Sequence, residues 1–293
     1  MNNFICNKCN LNIYVDLNVE NSSYLLFENI KCHSFCVLKN HGVSTNFIGK
    51  VYKEWIPFFE GESKFNYIRS DFTDEGYVAF NTEIAEGSDF PDNKEFYESH
   101  YKGSYPDNIN TFQTLKLLDS FVGLTKKILF LIDEEICDRV LNFRDSLSSI
   151  IAGDNNHMMR IIHYPAKNQH SGLERAAPHG DACLFTILPV ATSRGVKFLT
   201  PSNEWLDFKV AKSEIIFFNG DMIELYTDGY LKSAIHKVTY ADIDIIQARY
   251  SIPFFIHPKR NIVLKNRMTA YEFLKRRLTS IGYDGNKLLN KDD

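Results

Sequence analysis

No run of the 293-residue chain is apolar and long enough to cross a bilayer. The opening Met1-Asn2-Asn3-Phe4 lacks the basic-then-apolar layout of a secretory signal, so a cytoplasmic location and no membrane partner are expected. Neither sign of charge dominates. Lys and Arg number 33 against 37 Asp and Glu, a formal net charge of −4, so no nucleic-acid partner is expected. Cysteine is sparse, at 6 residues. Cys6 and Cys9 form a single C-x-x-C, Cys32 and Cys36 sit four apart, and Cys137 and Cys183 stand alone. A structural zinc would need a second ligand pair at suitable spacing, and Cys32 with His33 is an imperfect one; ordinary reduced thiols are the expectation. Internal repeats, low-complexity tracts and a Pro/Gly/Ser linker are also missing, which favours a single domain over 1–293.

What is present suits a packed core: 44% hydrophobic and 24% charged residues, near the globular average. Ile13–Leu17 and Phe35–Leu38 read as short strands, the second stopped by the turn cluster Lys39-Asn40-His41-Gly42. Thr45–Phe59 and Asn110–Asn142 carry apolar residues at helical spacing, and Gly61–Pro106 reads as a long, partly irregular connection. From about residue 157 the texture turns to short β-type runs: Met159–Tyr164, Cys183–Pro189, Val196–Leu199, Ile215–Phe218, Ala234–Tyr240 and Ala248–Ile256. Thr269–Ile281 closes as a helix. The fold class expected is mainly β with flanking helices. Residues 1–156 form a helix-rich part, 157–260 a double-sheet jelly roll, and 261–293 a C-terminal helix.

Pro178-His179-Gly180-Asp181 places an imidazole and a carboxylate two residues apart. On an extended segment such residues project to one side and can share an ion. His236, roughly 55 residues on, lies in a strand-like run and could complete the set. Two histidines and one carboxylate leave positions open, which suits iron(II) and oxygen. By itself an H-x-D pair is weak evidence, and a solvated loop pair would be the better explanation of it. Arg249 and Ser251 repeat the two-residue spacing in Ala248-Arg249-Tyr250-Ser251-Ile252. A guanidinium inside such a run needs an anion, either an acidic side chain or a bound carboxylate.

The ordered set resembles the iron(II)/2-oxoglutarate dioxygenases, in the isopenicillin N synthase-like family and of bacterial type. It comprises Ile161-Ile162-His163-Tyr164-Pro165, Arg175–Asp181, Leu184–Pro189, Phe218–Met222, Lys232–Val238 and Arg249–Phe255. Asn40-His41-Gly42-Val43, Gly76-Tyr77 and Lys94–Tyr97 extend it toward the N-terminus. The resemblance implies that His179, Asp181 and His236 bind iron(II). It gives Arg249 and Ser251 the distal carboxylate of 2-oxoglutarate, with Tyr164 adding a hydroxyl. It further implies O2 as oxidant, ascorbate as a supporting reductant, and hydroxylation or desaturation of a small molecule with release of succinate and CO2. Because Asp181 keeps a carboxylate in the set, chlorination is disfavoured. Alternatives are an iron oxidase that dispenses with 2-oxoglutarate, as isopenicillin N synthase and aminocyclopropane-carboxylate oxidase do, and a catalytically silent binding module. Ile162 stands where several plant members place an Asn.

Other residues are read as structural. His157 and His163 are expected in core or surface roles, His41 in a turn, and His257 as solvated. Lys275-Arg276-Arg277 reads as a solvated helix face. Arg175 is a weak candidate contact, since Pro178 could break the strand parity that would align it with His179. The 66–108 segment and the last helix are candidates for pocket walls.

Overall fold

Alternation within single strands explains how the layers are built. In Ile215–Asn219, Ile215 and Phe217 join one apolar cluster while Ile216 and Phe218 join another, as the two-residue period of a strand requires. One face packs on helices and the other looks into a second sheet.

The computed structural model describes residues 12–70, 74–84, 91–100, 103–137, 139–140, 143, 145–151, 156–166, 174–240 and 247–283. Cys6 and Cys9 lie outside them. The first half contains β1 (Tyr14–Asp16), α1 (Ser22–Cys32), β2 (Phe35–Lys39), α2 (Thr45–Glu60), a 3-10 turn (Glu62–Tyr67), β3 (Gly76–Val78), β4 (Glu95–His100), α3 (Phe112–Ile136) and α4 (Leu147–Ile150). Next come β5 (Met158–Tyr164), β6 (Glu174–His179), β7 (Phe185–Pro189), β8 (Val196–Leu199), β9 (Trp205–Leu206), β10 (Ile215–Asn219), α5 (Asp221–Tyr226), β11 (His236–Thr239), β12 (Arg249–Ser251) and β13 (Phe254–Ile256). A hairpin of β14 (Val263–Lys265) and β15 (Met268–Thr269) leads into α6 (Ala270–Ser280).

The large sheet runs β1-β2-β10-β7-β13-β5-β4-β3, with β12 also paired to β5, and the small sheet runs β6-β11-β8-β9. From β5 to β13 the chain passes back and forth between the large sheet (β5, β7, β10, β12, β13) and the small one (β6, β8, β9, β11), the double-stranded β-helix expected. Helices α1, α2 and α3 cover the outer face of the large sheet: Leu26, Trp55, Phe121 and Ile128 share a cluster with Phe185, Ile187, Phe217 and Phe254. A capping box starts α6, with Thr269 accepting from the Glu272 backbone and Glu272 accepting from that of Thr269.

One expectation needs correction and another refinement. Gly61–Pro106 is partly irregular, as expected, but among its described residues it also supplies β3 and β4, and β4 pairs with β5 along six register positions, Glu95↔His163 to His100↔Met158. Its charges hid it, because Glu95 and Glu98 are buried yet matched. Glu95 meets Tyr77 (2.5 Å), His163 Nδ1 (2.6 Å) and Lys64 Nζ (2.9 Å), while Glu98 meets Arg69 and Arg160. The long helix is also shorter than its pattern suggested, Phe112–Ile136. Helix α1 had no place in the sequence reading, although Leu26, Phe27 and Ile30 give it a buried face.

Candidate active site

His179 ends β6 and His236 begins β11, and the antiparallel register sets them directly opposite each other. Their ring centroids are 4.4 Å apart. Asp181 follows on the turn after β6, and its Oδ1 lies 3.7 Å from His179 Nε2 and 3.8 Å from His236 Nε2. The ligand atoms of all three fall within 4.8 Å of one another.

Each imidazole is oriented from behind. Nδ1 of His179 donates to the Ala177 carbonyl (2.8 Å) and Nδ1 of His236 to the Ala234 carbonyl (3.0 Å). A carbonyl only accepts, so both Nδ1 atoms carry the proton and both Nε2 lone pairs face Asp181. The Thr186 hydroxyl donates to Asp181 Oδ2 (2.6 Å), leaving Oδ1 toward the imidazoles. Burial lowers the His179 pKa to about 4, with His236 adding to the effect, which keeps the nitrogen unprotonated at neutral pH. For Asp181 burial pushes upward, but the two imidazoles and Thr186 outweigh it and the net shift is downward. Two imidazoles and a carboxylate, pre-oriented and open on one side, fit a divalent transition ion.

The turn carrying Asp181 has no spare room. A Cβ on Gly220 would stand 2.2 Å from the Cys183 carbonyl oxygen and 2.7 Å from that of Asp181. The Asp221 backbone N–H donates to the same Asp181 carbonyl (2.7 Å). Arg277 on α6 donates to the Gly180 carbonyl (3.2 Å), so it faces the ligand turn and not solvent, contrary to the reading of Lys275-Arg276-Arg277.

A pocket with ≈ 500 Å³ of empty space extends from the triad between the sheets, and Tyr164, Arg249 and Ser251 line it with His179, Asp181 and His236. Strand parity brings them there. Arg249 pairs with Tyr164 and Ser251 with Ile162, and the intervening Tyr250 packs outward in the helix-covered cluster. Arg249 is 2% exposed, its Nε donates to the Ser193 carbonyl (3.1 Å), and its guanidinium lies 5.1 Å from the Tyr164 ring. A buried fork of donors beside a serine hydroxyl, at a distance from a metal-type triad, fits a dicarboxylate whose other end reaches the metal. Ile162 lines this pocket in place of a polar side chain.

A second, wider cleft, with ≈ 1210 Å³ of empty space, opens on two of the three triad residues, His179 and Asp181. Lys94 and Arg160 line both spaces. Lys94 Nζ is held by Asp92 (2.8 Å) and Glu83 (3.2 Å), while Arg160 bonds Glu98 and Glu83. Glu83 is held at about 2: burial would raise it, but Arg160, Lys94 and Arg69 overcome that. Sequence reasoning passed over Arg69, Arg160 and Thr186; strand parity from Tyr164 back to Arg160 was the available signal for one of them.

The remaining histidines sort by contact. His41 is structural, as read: its Nε2 meets the Ser213 carbonyl (3.0 Å) and its Nδ1 accepts from Val43 (3.1 Å). His163 is partly buried and stacks on Tyr250 at 4.8 Å. His257 is not solvated but buried, at 7% exposure, and lines the cleft. Arg175 is fully buried away from both spaces, its Nη2 donating to the Gln247 carbonyl (2.9 Å). The register shift between β6 and β11 cancels the parity that linked it to His179.

A jelly roll that holds two imidazoles and a carboxylate facially at its mouth defines a class, the non-haem metal oxygenases. The family profile described as the 2OG-Fe(II) oxygenase superfamily matches residues 155–258. An oxygenase-family crystal structure from Shewanella oneidensis is 30% identical, covers 91% of this chain and 97% of that one, and superposes with a TM-score of 0.79. A full-length Neurospora crassa protein crystallised in complex with alpha-KG is 20% identical, over 96% and 99% of the two chains, also with a TM-score of 0.79. The Probable flavonol synthase 6 of Arabidopsis thaliana is 27% identical over 124 residues, 42% of this chain and 40% of that protein, so the match spans less than half of that relative's length. This chain belongs to the 2OG-Fe(II) oxygenase superfamily. No helix among the described residues is long and apolar enough to cross a membrane.

Proposed function

We propose that the chain is an iron(II)- and 2-oxoglutarate-dependent oxygenase that hydroxylates or desaturates a small organic substrate in the cytoplasm. The observation that carries this reading is the shared pocket, with a pre-oriented His179–Asp181–His236 triad at one part of its lining and the buried Arg249–Ser251 pair at another. His179, Asp181 and His236 would hold the iron, and Arg249, Ser251 and Tyr164 the far carboxylate of 2-oxoglutarate. Iron(II), when bound, supplies the activation of O2 that organic side chains cannot.

The protein's own share is placement and exclusion. The Ala177 and Ala234 carbonyls fix the tautomers, and Thr186 steers the Asp181 carboxylate. Arg249 aligns the co-substrate through a charge-assisted fork. Phe218, Leu188 and Val238 give the inner pocket an apolar lining that limits water. The wider cleft is the place for the substrate, since it opens on His179 and Asp181.

The test is an anaerobic titration of 2-oxoglutarate into the iron(II)-loaded protein, read by the visible charge-transfer absorption of the keto-acid complex. The band is expected in the parent chain and lost in Asp181→Ala and Arg249→Ala. Iron binding without a band would move the assignment to an oxidase that does not use 2-oxoglutarate.

A further inference from the structure

The wider cleft has an apolar wall, to which Met158, Phe255, Leu274, Leu278 and Ile281 contribute, and a strongly charged one. Matching the charges on the second wall leaves a remainder. Glu98 accepts from Arg69 (2.5 Å) and Arg160 (2.6 Å). Glu83 receives Arg160 and Lys94, and Asp92 also receives Lys94. Asp74 faces His100 Nε2 at 2.9 Å. Each of these four carboxylates therefore already has a cation.

The donors are not used up. Arg69 Nη2 is buried with no hydrogen-bond partner, on a side chain only 4% exposed, and Arg69 lines the cleft. The Tyr283 ring lies 4.1 Å from its guanidinium, so one face is already covered by an aromatic. His100 Nδ1 is likewise without a partner and belongs to the same cleft. Burial opposes charge on His100, but Asp74, Glu75 and Glu98 raise its basicity overall, favouring a proton on both ring nitrogens. His257, held neutral at about 3 by burial, sets no opposing charge against them. Buried N–H groups left unmatched are costly, and a ligand that brings acceptors removes that cost.

We propose that the substrate is a small organic acid with an apolar body, whose carboxylate is received by Arg69 Nη2 with His100 beside it. This rests on the wider cleft being the substrate site of the oxygenase proposed above. Arg260 and Arg277 add positive charge to the lining. An amine would meet carboxylates that already hold cations, and an ester would offer the donors only weak acceptors. Arg69 is thus a specificity-determining residue that no metal or co-substrate argument requires.

The experiment is anaerobic calorimetry on the full chain loaded with iron(II) and 2-oxoglutarate. The probes are octanoate, 3-phenylpropanoate and 4-phenylbutanoate, each set against its methyl ester and the corresponding primary amine. Acids are expected to bind roughly tenfold to a hundredfold tighter than their partners, the worth of a charge-assisted hydrogen bond. Arg69→Met should erase that preference while leaving the 2-oxoglutarate absorption band unchanged. Arg69→Lys, which keeps a cation for Glu98 but lacks Nη2, guards against a folding artefact and should weaken the preference with the thermal midpoint retained. A parent chain showing no preference for acids, or a preference surviving in both variants, overturns the proposal. The titrations are repeated without iron and co-substrate, so a missing band counts against the co-substrate assignment alone. In that arm Arg69→Met separates binding at Arg69 from binding at Arg249.

Discussion

Replacing Thr186 by Val removes one hydroxyl and little else, and the structure says where the loss falls. That hydroxyl donates to Asp181 Oδ2 at 2.6 Å inside the protein, and both residues are buried. A hydrogen bond to a charged group is worth about 1.5–3 kcal/mol. At 1.36 kcal/mol per pKa unit, the Asp181 carboxyl should rise by roughly one to two units in the metal-free protein. The carboxylate also loses the contact that turns Oδ1 toward the two imidazoles, and such outer contacts are worth about 10–100-fold in metal affinity. Thr186→Val should therefore weaken iron(II) binding by about that factor, with a steeper loss toward acid pH as protons compete for Asp181. Thr186→Ser should restore most of it. The assay is competitive iron(II) titration under argon at neutral and mildly acidic pH. Affinity within twofold of the parent at both pH values would refute the view that Thr186 orients the ligand.

His179→Ala or His236→Ala should abolish turnover; substantial iron-dependent activity in either would sink the triad. Arg249→Gln should weaken 2-oxoglutarate by about 2–4 kcal/mol, with iron affinity nearly unchanged, and calorimetry separates the two. Gly220→Ala drives a methyl against the Cys183 and Asp181 carbonyls, so about 1–3 kcal/mol of stability should be lost in urea unfolding, together with metal affinity. The pKa of His179 is lowered from 6.5 to about 4, so between those values the unfolded chain binds a proton that the folded chain does not. The metal-free protein should lose stability as pH falls through that window, and a urea midpoint equal at pH 7 and pH 5 would contradict it.

The residues of the site were legible to different degrees, for physical reasons. Arg249 and Ser251 obey the two-residue period of an extended chain, which survives in β12, whereas His179 ends β6 and the short spacing to Asp181 brings the carboxylate back to it from the turn. What no spacing could give is that His179 and His236 stand in register, since pairing between distant strands is a tertiary fact. Strand β4 escaped notice because its buried glutamates look like surface residues until Lys64, His163, Arg69 and Arg160 are seen around them. Arg277 was misread for a similar reason: a basic run looks solvated, yet α6 turns one of its three cations onto the Gly180 carbonyl. The jelly roll itself was readable, because β5, β7, β8 and β10 are short apolar runs between turns.

Strand β6 is an edge of the small sheet, paired among the described residues only with β11, and Pro178 sits exposed along it, as suits an edge. A metal shared by His179, Asp181 and His236 would bridge that edge to its neighbour at one end of the ladder, working as a fastener for a border strand. Peeling β6 away would then require surrendering two coordinate bonds along with the ladder. Amide exchange along 174–179 should slow on iron binding more than exchange in β8, and the metal would be as much the hem of the small sheet as the seat of its chemistry.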